Sequence, residues 1–216
     1  MSTQFWKRTV DIFMIGLFIA LMGCSFTGDV VHECLGILLF VLFIAHHVLN
    51  RTWYQTFMSR RRSPRQLAFA LMTVLLFTVV VFMAISSILV SRTIFAFIDY
   101  DGGLFSRQLH QMTTHLALML AAIHFGLYGK RFFGRWTRLS GTKQISKWFA
   151  VAVPLAVICL YGIWACYRHD VGQKLLMRQA YSFWSGSRIT FFVDYTAIFI
   201  SCSILAFSVE RFTSKK

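Results

Sequence analysis

The chain has 216 residues, of which 57% are hydrophobic and only 14% are charged, and its formal net charge is +14. Soluble domains carry about 25% charged residues, so this composition excludes most soluble classes and is typical of an integral membrane protein. The positive charge does not indicate nucleic-acid binding, because the basic residues lie in short clusters between long apolar runs and leave no soluble face for a basic stripe.

Six apolar stretches follow one another along the chain, near residues 10–27, 30–49, 67–90, 109–128, 148–165 and 189–209. Each is close to the roughly 20 residues that cross about 30 Å of hydrocarbon at about 1.5 Å per residue. We therefore predict an all-α fold with a single domain over residues 1–216, a polytopic membrane bundle of about six transmembrane helices.

The breaks between these stretches carry helix-boundary signals. Asp29 is predicted to cap the second helix and Ser106 the fourth. The dipeptide Ser63-Pro64 is predicted to start the third, because proline is tolerated in the first helical turn. Pro154 lies inside the fifth stretch and is expected to kink it.

The distribution of basic residues predicts the orientation of the bundle. Sixteen of the 22 Lys and Arg residues fall at the two termini and in the second-to-third and fourth-to-fifth connections. By the positive-inside rule this places both termini in the cytoplasm of a multi-pass cell-membrane protein. The first stretch, which follows a basic start, is expected to stay as an uncleaved anchor because a second span follows almost at once.

Histidine spacing is the most informative motif. Six of the seven histidines lie in the second and fourth stretches, and each stretch holds one pair that is fourteen residues apart. Fourteen residues turn a helix through about four full turns less about 40°, so each pair shares one helix face and spans about 21 Å. The pairs are His32 with His46, and His110 with His124.

The predicted topology runs both of these helices from outside to inside, so the two pairs match in depth. A bis-histidine haem iron needs one imidazole nitrogen on each side of the porphyrin, and such sites lie between facing helices of a bundle. We therefore predict a haem-binding four-helix core with two haem b groups. His32 and His110 bind the outer haem, and His46 and His124 bind the inner one.

Two alternatives remain for these histidines: hydrogen bonds between helices, and a proton or metal pathway. His47 and His115 lie off the shared faces and are predicted not to bind iron. His169 is expected to be solvated in an outer loop.

Other residues are candidates for the surroundings of the haems. Gly36 lies one turn from His32, where a missing side chain admits a porphyrin. Arg107 and Arg92 outside, and Arg51 and Lys130 inside, are candidate partners of the haem propionates.

Several outer features remain open in the sequence. The loop 93–105 is a candidate cover for the outer haem, and the segment 170–184 is predicted to be an interfacial helix with Lys174 and Arg178 facing water. Asp194 is either an N-cap or a carboxylate that serves a quinone or a proton path. The five cysteines have no metal-ligand spacing, and a disulfide among the outer ones is not predicted.

The second helix resembles the flavinylation-associated cytochrome family, formerly a domain of unknown function. The resemblance is carried by His32-Glu33-Cys34-Leu35-Gly36 and by His46-His47-Val48-Leu49-Asn50-Arg51-Thr52-Trp53. His110 to His124 with Gly126, and Phe192-Val193-Asp194-Tyr195, are similar to it more loosely.

The resemblance implies a membrane cytochrome b that passes electrons through two haems. It also implies that these electrons are exchanged with an extracytosolic protein that carries covalent FMN, so any flavin belongs to a partner. At the other end we expect exchange with a membrane quinol pool. Such a chain is an electron-transfer subunit rather than a stand-alone enzyme. The alternatives are a transporter or channel with structural histidines, and a haem-anchoring subunit of a larger dehydrogenase or hydrogenase complex.

Overall fold

The computed structural model describes residues 3–59, 63–98, 100, 102–129, 145–181 and 184–213. Within these ranges every regular element is an α-helix, which confirms the predicted all-α class. The helices are α1 (Thr3–Leu21), α2 (Cys24–Thr27), α3 (Asp29–Leu49), α4 (Arg51–Ser59), α5 (Pro64–Val90), α6 (Gly103–Leu127), α7 (Ile145–Arg168), α8 (Val171–Leu175) and α9 (Arg188–Thr213).

The start of α5 agrees with its sequence signal, and the start of α3 differs. Ser63 accepts a hydrogen bond from the backbone N–H of Gln66, whose side chain accepts one from the Ser63 N–H, so the two form a capping box before Pro64. The prediction of Asp29 as the cap of α3 is wrong. Gly28 occupies that position with a φ of 78°, which glycine adopts without steric cost, and Asp29 is the first helical residue.

Ser106 does not cap α6, contrary to the sequence expectation. The helix begins three residues earlier, at Gly103, and Ser106 is buried inside it. A left-handed φ of 54° at Gly103 turns the chain into the helix, so the glycine takes over the start that the serine was expected to supply. Pro154 lies inside α7, where the sequence places it.

Among the described residues, three helices are long and apolar enough to cross a membrane: Asp29–Leu49, Pro64–Val90 and Arg188–Arg211. The apolar helix Ala152–Arg168 is shorter. α6 is long enough, but its three histidines and several hydroxyl and amide side chains lower its apolar character. Large exposed side chains such as Val41, Leu71 and Leu160 suit contact with lipid better than contact with water.

α5, α6, α9 and α7 pack side by side in that order. Small residues allow the close approaches: a side chain at Gly126 would collide with the backbone of Ser203, and one at Gly162 would collide with Ser201. The hydroxyl of Ser203 donates to the Ala122 carbonyl at 3.0 Å, which ties α9 to α6. These four helices form the tightly packed half of the molecule.

α3 packs mainly against α1 and lies across a cavity from α5 and α6. The N-terminal end of α3 is named the outer end after the predicted topology, and it is held by Glu33. The Glu33 carboxylate accepts hydrogen bonds from the turn that follows α5, among them those of the Ser91 hydroxyl at 2.7 Å and the Ile94 N–H at 2.7 Å. Further along α3, Phe43 contacts Phe77 at the middle of α5. α3 and α5 are therefore antiparallel, and since α5 and α6 form a hairpin, α3 and α6 run in the same direction.

Candidate cofactor-binding site

A cavity of about 1490 Å³ extends along the bundle between α1, α3, α5 and α6. It is larger than the usual ligand pocket of about 300–1,000 Å³. Its wall is mostly apolar, as for a flat hydrophobic cofactor. All six site residues predicted from the sequence line it: His32, His46, His110, His124, Gly36 and Arg107.

The predicted outer ligands face each other. The ring centres of His32 and His110 are 6.4 Å apart, and the ring planes are at 84°. An imidazole nitrogen lies about 2 Å from a bound transition metal, and the ring centre lies about 1 Å behind it, so two imidazoles on one ion have centres about 6 Å apart. The observed separation therefore suits a shared iron, and direct hydrogen bonding would bring the rings closer.

The surroundings of His110 select its tautomer. Ser86 and Ser87 both donate their hydroxyl protons to the Met83 carbonyl at 2.8 Å. Their oxygens lie 3.3 and 3.4 Å from Nδ1 of His110 and can only accept from it. Nδ1 therefore carries the proton, and the lone pair on Nε2 is available for a metal.

Hydrogen-bond partners also lie beside Nδ1 of the two predicted inner ligands. Nδ1 of His46 lies 2.7 Å from the Asp11 carboxylate, which can only accept while it is ionised. Nδ1 of His124 lies 3.5 Å from the Thr73 hydroxyl, which donates its own proton to the Phe69 carbonyl. For His46 the carboxylate therefore holds the proton on Nδ1, as hydrogen-bond partners behind the ring do for metal-binding histidines.

The two histidines predicted not to bind iron have different surroundings. Both nitrogens of His115 are engaged, Nδ1 with the Gln111 carbonyl at 2.8 Å and Nε2 with the Tyr195 hydroxyl at 3.0 Å, so it has no lone pair to offer. His47 contacts Tyr54 through Nδ1, but its buried Nε2 has no hydrogen-bond partner within the described part of the chain. His47 is therefore the competing candidate at the inner end.

The outer end of the cavity has both the space for a porphyrin ring and the positive charge for its propionates. A Cβ added to Gly36 would meet nothing within 4 Å, so the cavity is open beside its backbone. Arg107 and Arg92 both line the cavity. Of the predicted inner cations, Arg51 is exposed and does not line the cavity, and Lys130 lies outside the described residues.

The prediction of a solvated His169 is wrong. Its exposed fraction is 6%, and Nε2 lies 2.9 Å from the carboxylate of Asp194. The ring stacks on Trp184 at a centroid distance of 4.6 Å. Burial lowers the pKa of His169 below its ordinary value even though the Asp194 carboxylate opposes the shift. A neutral imidazole with its proton on Nε2 therefore donates to Asp194.

Asp194 is not an N-cap either. It is fully buried, six residues past the first residue of α9. Its other oxygen accepts from the Tyr161 hydroxyl at 2.6 Å, and the Arg168 guanidinium lies 3.4 Å away. α9 begins at Arg188, so position 194 falls within the packed helix rather than at its end. The carboxylate joins α7 to α9, and it does not line the cavity.

We expect replacement of Asp194 by Leu to lower the stability of the bundle strongly. The change leaves the buried N–H of His169 without an acceptor, which costs about 1–3 kcal/mol, and it also removes the acceptor of the partly exposed Tyr161 hydroxyl. Asp194→Asn keeps an acceptor and should lose less. Thermal unfolding of the detergent-solubilised protein measures the effect, with Asp29→Leu at an exposed carboxylate as the control. Equal melting temperatures for Asp194→Leu and Asp29→Leu would contradict this role.

The outer segment also differs from expectation. Only Val171–Leu175 is helical in the described part of 170–184, and Lys174, predicted to face water, is 3% exposed. The turn 93–98 that follows α5 places Phe95 at the wall of the cavity, and cover of an outer haem stays a prediction.

No group of three or more His, Cys, Asp or Glu side chains forms a metal site in the part of the chain that the structure describes. The five cysteines are free thiols, and no disulfide joins them. A bis-histidine iron needs only two protein ligands, so the pairwise geometry of the histidines is the relevant test.

Sequence reasoning missed Asp11. A lone carboxylate within an apolar stretch is itself a signal, because ionisable groups inside a membrane are functional candidates by default.

Comparison of the chain with models of known protein families, with curated proteins and with solved structures gives no match.

Proposed function

We propose that this chain is a membrane cytochrome b of about six transmembrane helices that carries electrons across the bilayer through two haems. The observation that carries the proposal is the facing pair His32 and His110, with imidazole centres 6.4 Å apart across a large apolar cavity. Both termini are cytoplasmic in this proposal, since the basic residues concentrate on that side.

Each part of the site has a chemical role in the proposal. His32 and His110 bind the outer iron, and His46 and His124 bind the inner one. The hydroxyls of Ser86 and Ser87 orient His110, and Asp11 orients His46. Gly36 leaves room for the macrocycle, and Arg107 balances charge at the outer end. Bound haem supplies one-electron chemistry, while the chain supplies ligation, orientation and insulation from water.

The flavin-carrying partner in this proposal follows from the family resemblance alone, which favours an extracytosolic protein that carries FMN. A membrane quinol is the partner that we propose for the other haem. The lipid bilayer is the third partner, in keeping with the apolar outer faces of the helices.

One optical measurement tests the function. The purified protein should show a reduced-minus-oxidised spectrum of haem b, with two haems per chain by pigment extraction. In vesicles, an added quinol should reduce them. A purified, folded protein without haem absorbance after haem supplementation would overturn the proposal and favour a transporter with structural histidines.

A further inference from the structure

A buried cation remains without a role in the site described above. Lys174 lies on α8 and is 3% exposed, and its side chain lines the outer end of the cavity. Its ammonium makes no hydrogen bond and no ion pair within the described part of the chain. Asp170, the N-cap of α8, acts on it electrostatically. An unpaired buried ammonium is costly, so a complementary group at this position stabilises the protein.

The charges around Lys174 favour an anion as that group. Arg107 and Arg168 line the same end of the cavity, and Arg168 is already paired with Asp194. The neutral rings of His115 and His169 lie within electrostatic range of Lys174 and supply no negative charge. Burial lowers the pKa of Lys174 to about 8, so the ammonium stays charged at neutral pH.

The carboxylates on the opposite wall do not compensate Lys174. Glu33 is engaged by the turn that follows α5, and Asp29 is exposed at the start of α3. On α6, next to His115, the buried hydroxyl of Thr114 also lines the cavity and has no hydrogen-bond partner within the described part of the chain. The outer end therefore offers an ammonium and a hydroxyl to a ligand with acceptor oxygens.

We propose that Lys174 is the cation of a carboxylate-binding site at the outer end of the cavity, with Thr114 as a second donor. The carboxylate has two sources with the same chemistry. It is a propionate of the outer haem, in which case the inference rests on the proposed function, or it belongs to a free carboxylate ligand that enters from outside.

Matched variants test the site. Lys174→Met removes the charge at similar size, and removing an unpaired buried charge should not harm folding. Lys174→Gln is a second neutral variant, and Lys174→Arg keeps the charge. Arg178→Met is the control, because Arg178 is an exposed cation of the same segment that does not line the cavity.

Redox titration of the outer haem gives the first readout. A nearby cation favours the reduced haem by balancing the propionate, so Lys174→Met should lower the reduction equilibrium constant about tenfold, a shift of about 59 mV for one electron. Lys174→Arg and Arg178→Met should stay near the wild type. In haem dimethyl ester the propionates are esterified and uncharged. If a propionate is the ligand of Lys174, the difference in potential between the wild type and Lys174→Met should vanish with this ester in place of haem.

Calorimetric titration with succinate gives the second readout. The site is assigned to a free carboxylate by two results together. Succinate binds the wild type and binds Lys174→Met at least tenfold more weakly, and the potential shift of Lys174→Met persists with the haem dimethyl ester. The inference is overturned if both neutral variants match Arg178→Met in potential and in succinate affinity. If the wild type holds no haem, the proposed function fails separately, and succinate binding to the haem-free protein decides the role of Lys174.

Discussion

His32→Ala and His110→Ala should each remove one haem, and it should be the same haem. The two imidazoles face each other at 6.4 Å, and a haem held by one remaining ligand in a wide cavity loses most of its affinity. The double variant should lose no further haem, whereas His32→Ala combined with His46→Ala should lose both. Pigment extraction gives the stoichiometry, and low-temperature electron paramagnetic resonance distinguishes the two haems.

His115→Ala is the matched control for this experiment. His115 lies on the same helix as His110 and lines the same cavity, but both of its nitrogens are engaged by Gln111 and Tyr195. It should keep both haems. Loss of different haems in His32→Ala and His110→Ala would contradict the pairing, and a haem loss in His115→Ala that matches His110→Ala would show that the wrong outer ligand was chosen.

The outer pair could be predicted from the sequence because it depends on helical periodicity and on helix direction alone. Fourteen residues place two histidines on one face, and two parallel helices place His32 opposite His110. The structure has both features. The position of Gly36 at the cavity wall could be predicted by the same reasoning, because this residue lies one turn from His32 on the face that lines the cavity.

The environment of Asp194 and Lys174 could not be predicted in this way. The pattern of apolar and charged residues in 170–184 predicted an interfacial helix with Lys174 facing water, but α8 packs against α6 and α7 and carries Lys174 into the bundle. Likewise, the stacking of His169 on Trp184 joins residues whose contact is set by the path of the chain between α7 and α9. Local sequence patterns do not contain such tertiary contacts.

Asp11 is the residue through which the inner end can be tested most sharply. Its carboxylate lies 2.7 Å from Nδ1 of His46 and is contributed by α1, so it fixes the imidazole from a neighbouring helix. Removal of such a partner typically weakens metal binding by about 10–100-fold. We expect Asp11→Leu to lower the affinity of the inner haem by that factor and to leave the outer haem in place.

Asp11→Asn should retain the inner haem but raise its potential, because a neutral amide no longer increases the electron donation of His46 to the iron. Haem titration and redox titration measure the two effects, with Asp29→Asn, a second carboxylate at the cavity wall, as the control. The decisive comparison is with His47→Ala. If that variant loses the inner haem while Asp11→Leu and His46→Ala keep it, the inner ligand is His47, whose buried Nε2 is available, and Asp11 holds a structural histidine instead.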